Sequence, residues 1–401
     1  MKSWKANLAA CAAATFFCII GWSLALPFMP LYIRELGVTD LHQVELWSGL
    51  LASATPIAAV FSMPLWGALA DRKGHKRNTE RAGFTIAITF ILMAFAGSVQ
   101  QMFAARIAQG LMAGFMPAMF GLISTFVPTA SVGYALGLIL MSTNAGAAVG
   151  PLLGGFVADL VGYRWAFALS GACNALSGFV VLWLVREQAK QPAAATSRNN
   201  GIAAGARTVA HSPVVFGAIL IMAGAMMADT LGRVILPLFV ETLQSDPARV
   251  NTATGLVLFS IALAAALSSV FAGRLADRAG NRPILLACAG GAVISYAGQA
   301  LAPNFGLFMA ASILLGLSVG GLIPTANSIL ARRVNREQQG AVYGLSASAN
   351  SAGNMLGPLI GAAAATGLGM RYTFAGAGVI FLVLVVIIAT TIGAHHREEK
   401  A

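Results

Sequence analysis

Apolar stretches of about 20 residues, the length that crosses a bilayer as a helix, follow one another along this chain with only short polar breaks between them. The breaks fall near residues 36–45, 71–80, 98–102, 127–132, 159–164, 187–212, 243–250, 277–282, 302–305, 332–338 and 364–371. Eleven breaks predict twelve spans. Runs such as Phe374 to Ile392 are continuously apolar and lack the alternation of an outer-membrane barrel, so the spans are helices. With 58% apolar and 10% charged residues, an ordinary soluble domain is excluded. The expected fold class is an all-α membrane protein. Lys2 and Lys5 precede an apolar run that continues to about Ile33, which is too long for a cleaved signal peptide.

The spans repeat. Gly67 to Gly74 (GALADRKG) returns as Gly273 to Gly280 (GRLADRAG), 206 positions later. Pro30-Leu31 returns as Pro237-Leu238, Gly110 and Gly114 as Gly316 and Gly320, Gly150-Pro151-Leu152 as Gly357-Pro358-Leu359, and Arg164 with Phe167 as Arg371 with Phe374, always at an offset of 206 or 207. Chance matches would scatter, so the chain reads as two like halves in parallel orientation. The longest polar break (QPAAATSRNNGIAAG) has the composition of a flexible connector. The predicted organisation is an N-terminal six-helix bundle (1–186), a cytoplasmic linker (187–212) and a C-terminal six-helix bundle (213–401), related by pseudo-symmetry.

The formal charge of +11 matters through its placement. If the N-terminus is cytoplasmic, the loops on its side hold 19 of the 25 Lys and Arg, and the opposite side holds only Arg34, Arg164, Arg249 and Arg371. This is the positive-inside asymmetry. It predicts a multi-pass membrane protein with both termini cytoplasmic, its basic excess facing anionic lipid and not nucleic acid. No loop is long enough for a folded domain. Cys11, Cys18, Cys173 and Cys288 all fall inside apolar spans without metal-ligand spacing, and neither half has a GxxxxGK[ST] loop. No metal, no cofactor and no enzyme activity are therefore expected.

GALADRKGHKR after the second span, its weaker copy after the eighth, Arg106 with Gln109-Gly110 in the fourth, and GAAVGPLLGG (Gly146 to Gly155) in the fifth together resemble the signatures of the major facilitator superfamily. The last resembles the mark of its drug:proton antiporter branch, and the overall run of motifs is most similar to MdtG-type multidrug exporters. The resemblance implies the major facilitator fold, in which the first, fourth, seventh and tenth helices line a central cavity. It also implies that Gly67, Asp71, Arg72, Gly74 and Arg77, with Asp277 and Arg278 in the second copy, form cytoplasmic gates that close and open during transport. On physical grounds alone, Asp71 is placed either to cap the following helix or to pair with nearby arginines. Gly146, Gly150 and Gly154 recur every fourth residue, so they present one close-packing helix face, and Pro151 bends that helix; Gly357 and Pro358 copy the pattern. In drug-exporting relatives this helix packs on its partner from the other half.

Charges inside spans carry the sharpest inference, because a membrane-buried charge is expensive and usually functional. Of the 14 acidic residues, only Asp229 falls within a span away from its ends. Arg233 follows at i+4 on the same helix face, where the two can pair. The pair is either a static packing element or a coupling site, at which a substrate displacing Arg233 promotes proton uptake by Asp229. Ala6 to Ile33 contains no carboxylate, where many proton-coupled relatives carry one. Arg106 is the other intramembrane charge; the resemblance implies proton relay or gating for it, and the plain alternative is a carbonyl-bonded arginine. Trp22, Met116, Asn144, Met226, Asn327 and Asn350 are candidates for the substrate cavity, methionine and aromatic side chains being suited to varied apolar shapes.

These readings predict a secondary transporter exporting amphipathic or lipophilic compounds by alternating access, as a monomer, with small-molecule substrate, protons and the lipid bilayer as its partners. The alternative is a proton-coupled transporter of a specific polar solute such as a sugar or siderophore.

Overall fold

The computed structural model describes residues 4–128, 131–187, 207–244 and 246–392, apart from the side chains of residues 247, 277, 336, 337 and 340. Most of the expected linker and the side chain of Asp277 thus lie outside the described residues. Among those described there is no strand. Sixteen α-helices follow in order: α1 (Trp4–Ala25), α2 (Met29–Glu35), α3 (Leu41–Lys73), α4 (His75–Ala94), α5 (Val99–Leu111), α6 (Phe115–Ser124), α7 (Val132–Val161), α8 (Tyr163–Leu184), α9 (Pro213–Arg233), α10 (Leu236–Leu243), α11 (Val250–Ala279), α12 (Asn281–Leu301), α13 (Phe305–Val319), α14 (Leu322–Arg333), α15 (Arg336–Leu368) and α16 (Met370–Thr391).

Joined across short interruptions, these make twelve runs in the places the polar breaks predict. Ten helical stretches among the described residues are long and apolar enough to cross a membrane. The two runs outside that set are α4, which opens on Lys76, Arg77, Glu80 and Arg81, and α15, which carries Ser346, Ser348, Asn350, Ser351 and Asn354. The interruptions are not random. They fall in the first, fourth, seventh and tenth runs, at Leu26–Phe28, Met112 to Gly114, Val234 to Ile235 and Gly320 to Gly321. Non-helical backbone inside a membrane is tolerated only where protein or a cavity surrounds it, and broken helices often carry the binding sites of transporters.

The sequence repeat is a repeat of physical contacts. Gly74 and Gly280, which end the two octets, take φ of 99° and 87°, and Gly162 and Gly369 take 93° and 104°; only glycine occupies this region without strain. Ser98 and Asn304 each cap the following helix by accepting from the backbone N–H three residues on. Both pairs of turns and the pair of caps sit at the 206 or 207 offset.

By their internal contacts the helices form two compact units, Met1–Ala193 with Leu236–Phe259, and Ala194–Ile235 with Ser260–Ala401. In the first, α1 packs on α7 and α8, α4 on α8, and α5 on α3. In the second, α9 packs on α15 and α16, and α12 on α16, which repeat the α1–α7, α1–α8 and α4–α8 pairs, and α12 also packs on α13. Tyr32, Phe28, Phe90 and Phe167 are the largest buried side chains of the first unit; Phe308, Phe374 and Phe381 are those of the second.

Candidate functional site

Asp229 and Arg233 lie one turn apart near the end of α9, just before the helix breaks. Arg233 Nε donates to Asp229 Oδ2 at 2.7 Å, and with no membrane around them the two side chains are 50% and 38% exposed. Met226, Asp229 and Arg233 follow at i, i+3 and i+7, so they share the open face of α9, while Ala225, Ala228, Leu231 and Gly232 are buried. Beside Asp229 in the chain, Ala228 O accepts the hydroxyl of buried Tyr296 of α12 at 3.3 Å. The repeat makes the asymmetry plain. One repeat earlier, Trp22 and Phe90 occupy these positions as an edge-to-face aromatic pair with centroids 6.3 Å apart. The second unit therefore has an acid and a phenol where the first has two apolar rings.

Arg106, on α5, is buried at 3% exposure. Its Nε donates to Leu51 O at 2.9 Å, Nη1 to Gln109 Oε1 at 2.6 Å and Nη2 to Ala52 O at 3.5 Å. One of these acceptors, the longest, has a cause in α3: Pro56 has no N–H, so Ala52 O, four residues before it, lacks its helical donor. Arg106 supplies one from outside the helix. Gln109 in turn donates to Thr89 Oγ1 at 3.2 Å, Thr55 Oγ1 donates to Arg106 O at 2.9 Å, and the guanidinium carbon lies 5.7 Å from the Trp22 ring centroid. Among the described residues no carboxylate pairs with Arg106, and its geometry is that of an arginine bonded to the carbonyls of α3 just before Pro56.

The glycine faces pack within each unit. A Cβ at Gly146, Gly150 or Gly154 would strike α1 at Phe16 and Ile19, at Ser23, and at the backbone of Leu24. At Gly353, Gly357 and Gly361 it would strike Ala223, Thr230 and Leu231 of α9, the repeat-equivalent contacts. Ser23 Oγ donates to Gly146 O at 3.2 Å and Thr230 Oγ1 to Gly353 O at 3.3 Å. The three spaced glycines of the fifth run thus face α1 of their own half, and only the adjacent Gly155 approaches a helix of the other half, at Asn251 of α11.

At the octet, Gly67 has open space around it, and Asp71, Arg72 and Arg77 are exposed. Asp71 Oδ1 lies 3.8 Å from His75 Nε2 and caps nothing. The cap of α4 comes instead from Glu187, whose two carboxylate oxygens accept from His75 N at 2.8 Å and Lys76 N at 3.1 Å. No local signal marks Glu187, since its partners lie over 100 residues away. Arg278 is exposed in the second copy. Of the remaining candidates, Trp22, Met116, Met226 and Asn327 are half-buried and Asn144 is exposed. Asn350 Oδ1 is buried with no hydrogen-bond partner among the described residues.

The sequence profile of the Major Facilitator Superfamily matches residues 11–252 and 224–401. The chain belongs to the major facilitator superfamily. It is a multi-pass membrane transporter and not an enzyme. Within the superfamily it is 31% identical over 377 residues to the multidrug resistance protein MdtG of Proteus mirabilis, covering 93% of this chain and 92% of that one. The MdtG of Enterobacter lignolyticus is 32% identical over 377 residues, covering 93% and 88%. Among solved superfamily structures, a bacterial homologue of the human lysosomal transporter Spinster, inward-facing and occupied, superposes with a TM-score of 0.79 over 98% of this chain and 97% of that one at 14% identity. The nucleoside transporter NupG does so with 0.76 over 96% and 99% at 16% identity. At these identities the superpositions speak for the fold.

Proposed function

We propose that this chain is a multidrug exporter of a bacterial cytoplasmic membrane, working as a monomer with both termini in the cytoplasm. It moves amphipathic or lipophilic compounds outward by alternating access against an inward flow of protons. The names of its relatives support the substrate class, and the placement of Lys and Arg supports the orientation.

The observation that carries the coupling step is the Asp229–Arg233 pair on the open face of a broken helix. With Arg233 in place, Asp229 is a neutralised carboxylate. A substrate that draws Arg233 away leaves Asp229 without its counter-ion, and a proton taken up in its place restores neutrality within the span. Release of substrate lets Arg233 return and expels the proton. Arg106 takes no part in proton transfer; it holds α3 against α5 through the carbonyls of Leu51 and Ala52 and braces Trp22.

Export is tested by expressing the protein in a bacterial host deleted for its major efflux systems and following fluorescent amphipaths in everted membrane vesicles. Respiration-driven accumulation that collapses with a protonophore is expected. Accumulation of a sugar or siderophore in intact cells, with no amphipath handled, would favour the polar-solute reading.

A further inference from the structure

The stretch Leu236–Phe259 lies in the second half of the repeat, yet its contacts group it with the first compact unit. Two polar ties and one close backbone approach hold it there. Arg34 and Glu241 occupy equivalent positions of the two repeats, 207 apart, with opposite charge, and Arg34 Nη1 lies 2.5 Å from Glu241 Oε2. Asp159, near the end of α7, reaches the first turn of α11. Its Oδ1 accepts from Asn251 N at 3.2 Å and from Asn251 Nδ2 at 2.8 Å, and its Oδ2 accepts from Thr252 N at 2.7 Å. Asn251 Nδ2 also donates to Tyr163 Oη at 3.2 Å. Between these ties a Cβ on Gly155 would strike Asn251 O, and one on Gly255 would strike Pro151 O, so the two backbones touch.

We infer that Asp159 is the catch of a clasp on the outer side of the transporter, fastening Leu236–Phe259 to the first-half helices while that side is closed. The inference rests on the alternating-access reading. An ionised carboxylate on the free N–H groups of a helix start makes charge-assisted hydrogen bonds and also meets the positive end of the helix dipole. It is the stronger of the two ties, because Arg34 and Glu241 are both exposed and such pairs contribute little. The clasp is made once only: the positions one repeat after Asp159 are Ala365 and Thr366, which carry no charge. For the outer side to open, the carboxylate must leave Asn251 and Thr252.

The test places a reporter thiol under the clasp, Ala253→Cys (6% exposed), in a background with Cys11, Cys18, Cys173 and Cys288 replaced by Ala. A membrane-impermeant maleimide is then added to intact cells. With Asp159 present, labelling is slow. Asp159→Asn and Asp159→Ala are expected to raise its rate about tenfold by shifting the population toward the open state, and Asp159→Glu to restore much of the protection. Thr252→Pro removes the nearest donor while leaving the carboxylate, at a helix position where proline is tolerated; it is expected to raise labelling too, and it keeps the test valid if Asp159→Ala fails to accumulate. Parent-like labelling in both Asp159→Asn and Thr252→Pro would overturn the clasp. Since labelling requires no substrate, faster labelling in a protein that exports nothing supports the clasp while the exporter reading fails.

Discussion

Replacing Arg106 separates its charge from its geometry. Arg106→Lys keeps a cation at the site but replaces a planar fork with a single ammonium, and Arg106→Gln removes the cation altogether. The two firm bonds, to Leu51 O and Gln109 Oε1, involve a charged donor and contribute about 1.5–3 kcal/mol each, offset in part by no longer burying a charge. Both variants should lose about 2–4 kcal/mol, Lys no less than Gln, which for a unit of this size lowers the melting temperature by roughly 5–15 °C. The assay is thermal unfolding in detergent with a thiol-reactive fluorophore, because buried Cys11, Cys18 and Cys288 become accessible only on opening. Pro56→Ala supplies the N–H that Ala52 O lacks, so in that background the Arg106→Gln penalty should shrink by about 0.5–1 kcal/mol. An Arg106→Lys protein that melts with the parent would refute the bracing role. Additive effects of Arg106→Gln and Pro56→Ala would refute the link to Pro56.

Gly154→Ala drives a Cβ into the Leu24 backbone, which cannot yield as a side chain would, and should cost about 1–3 kcal/mol. Gly137→Ala on the same helix meets nothing within 4 Å and should leave the melting temperature unchanged or higher; equal melting of the two would disprove the close approach. Glu187→Gln weakens the cap of α4 and should destabilise by about 1 kcal/mol, with faster proteolysis at the Gly74 turn as a second readout. An unchanged proteolysis rate would remove Glu187 from that role.

The twelve runs and the two-fold repeat are legible in the sequence because each rests on a local signal: apolar length for the runs, and for the repeat a constant offset that the glycine turns, helix caps and glycine contacts all obey. The Asp229–Arg233 pair is equally local, an i, i+4 spacing on one helix. Three features escape because their partners are distant in sequence. The octet offers Asp71 either as the cap of α4 or as a partner for nearby arginines, but the chain returns 112 residues later to cap His75 with Glu187. The face toward which Gly146, Gly150 and Gly154 turn depends on helix order, and they meet α1 of their own half. Asp159 reads as a loop acid until α11 is seen to begin against it. For Arg106 a signal is present in Pro56, whose missing N–H marks Ala52 O as an acceptor in need of a donor, although nothing in the sequence says which donor supplies it.

Coupled transport at Asp229 is measured most directly in proteoliposomes with a pH-sensitive dye inside and a panel of cationic, neutral and anionic amphipaths outside. The account predicts that substrate moving through the parent protein drives protons the opposite way, and that Asp229→Asn abolishes this proton movement while substrate still binds. Full proton-coupled transport by Asp229→Asn, or substrate transport by the parent with no proton movement, would contradict it.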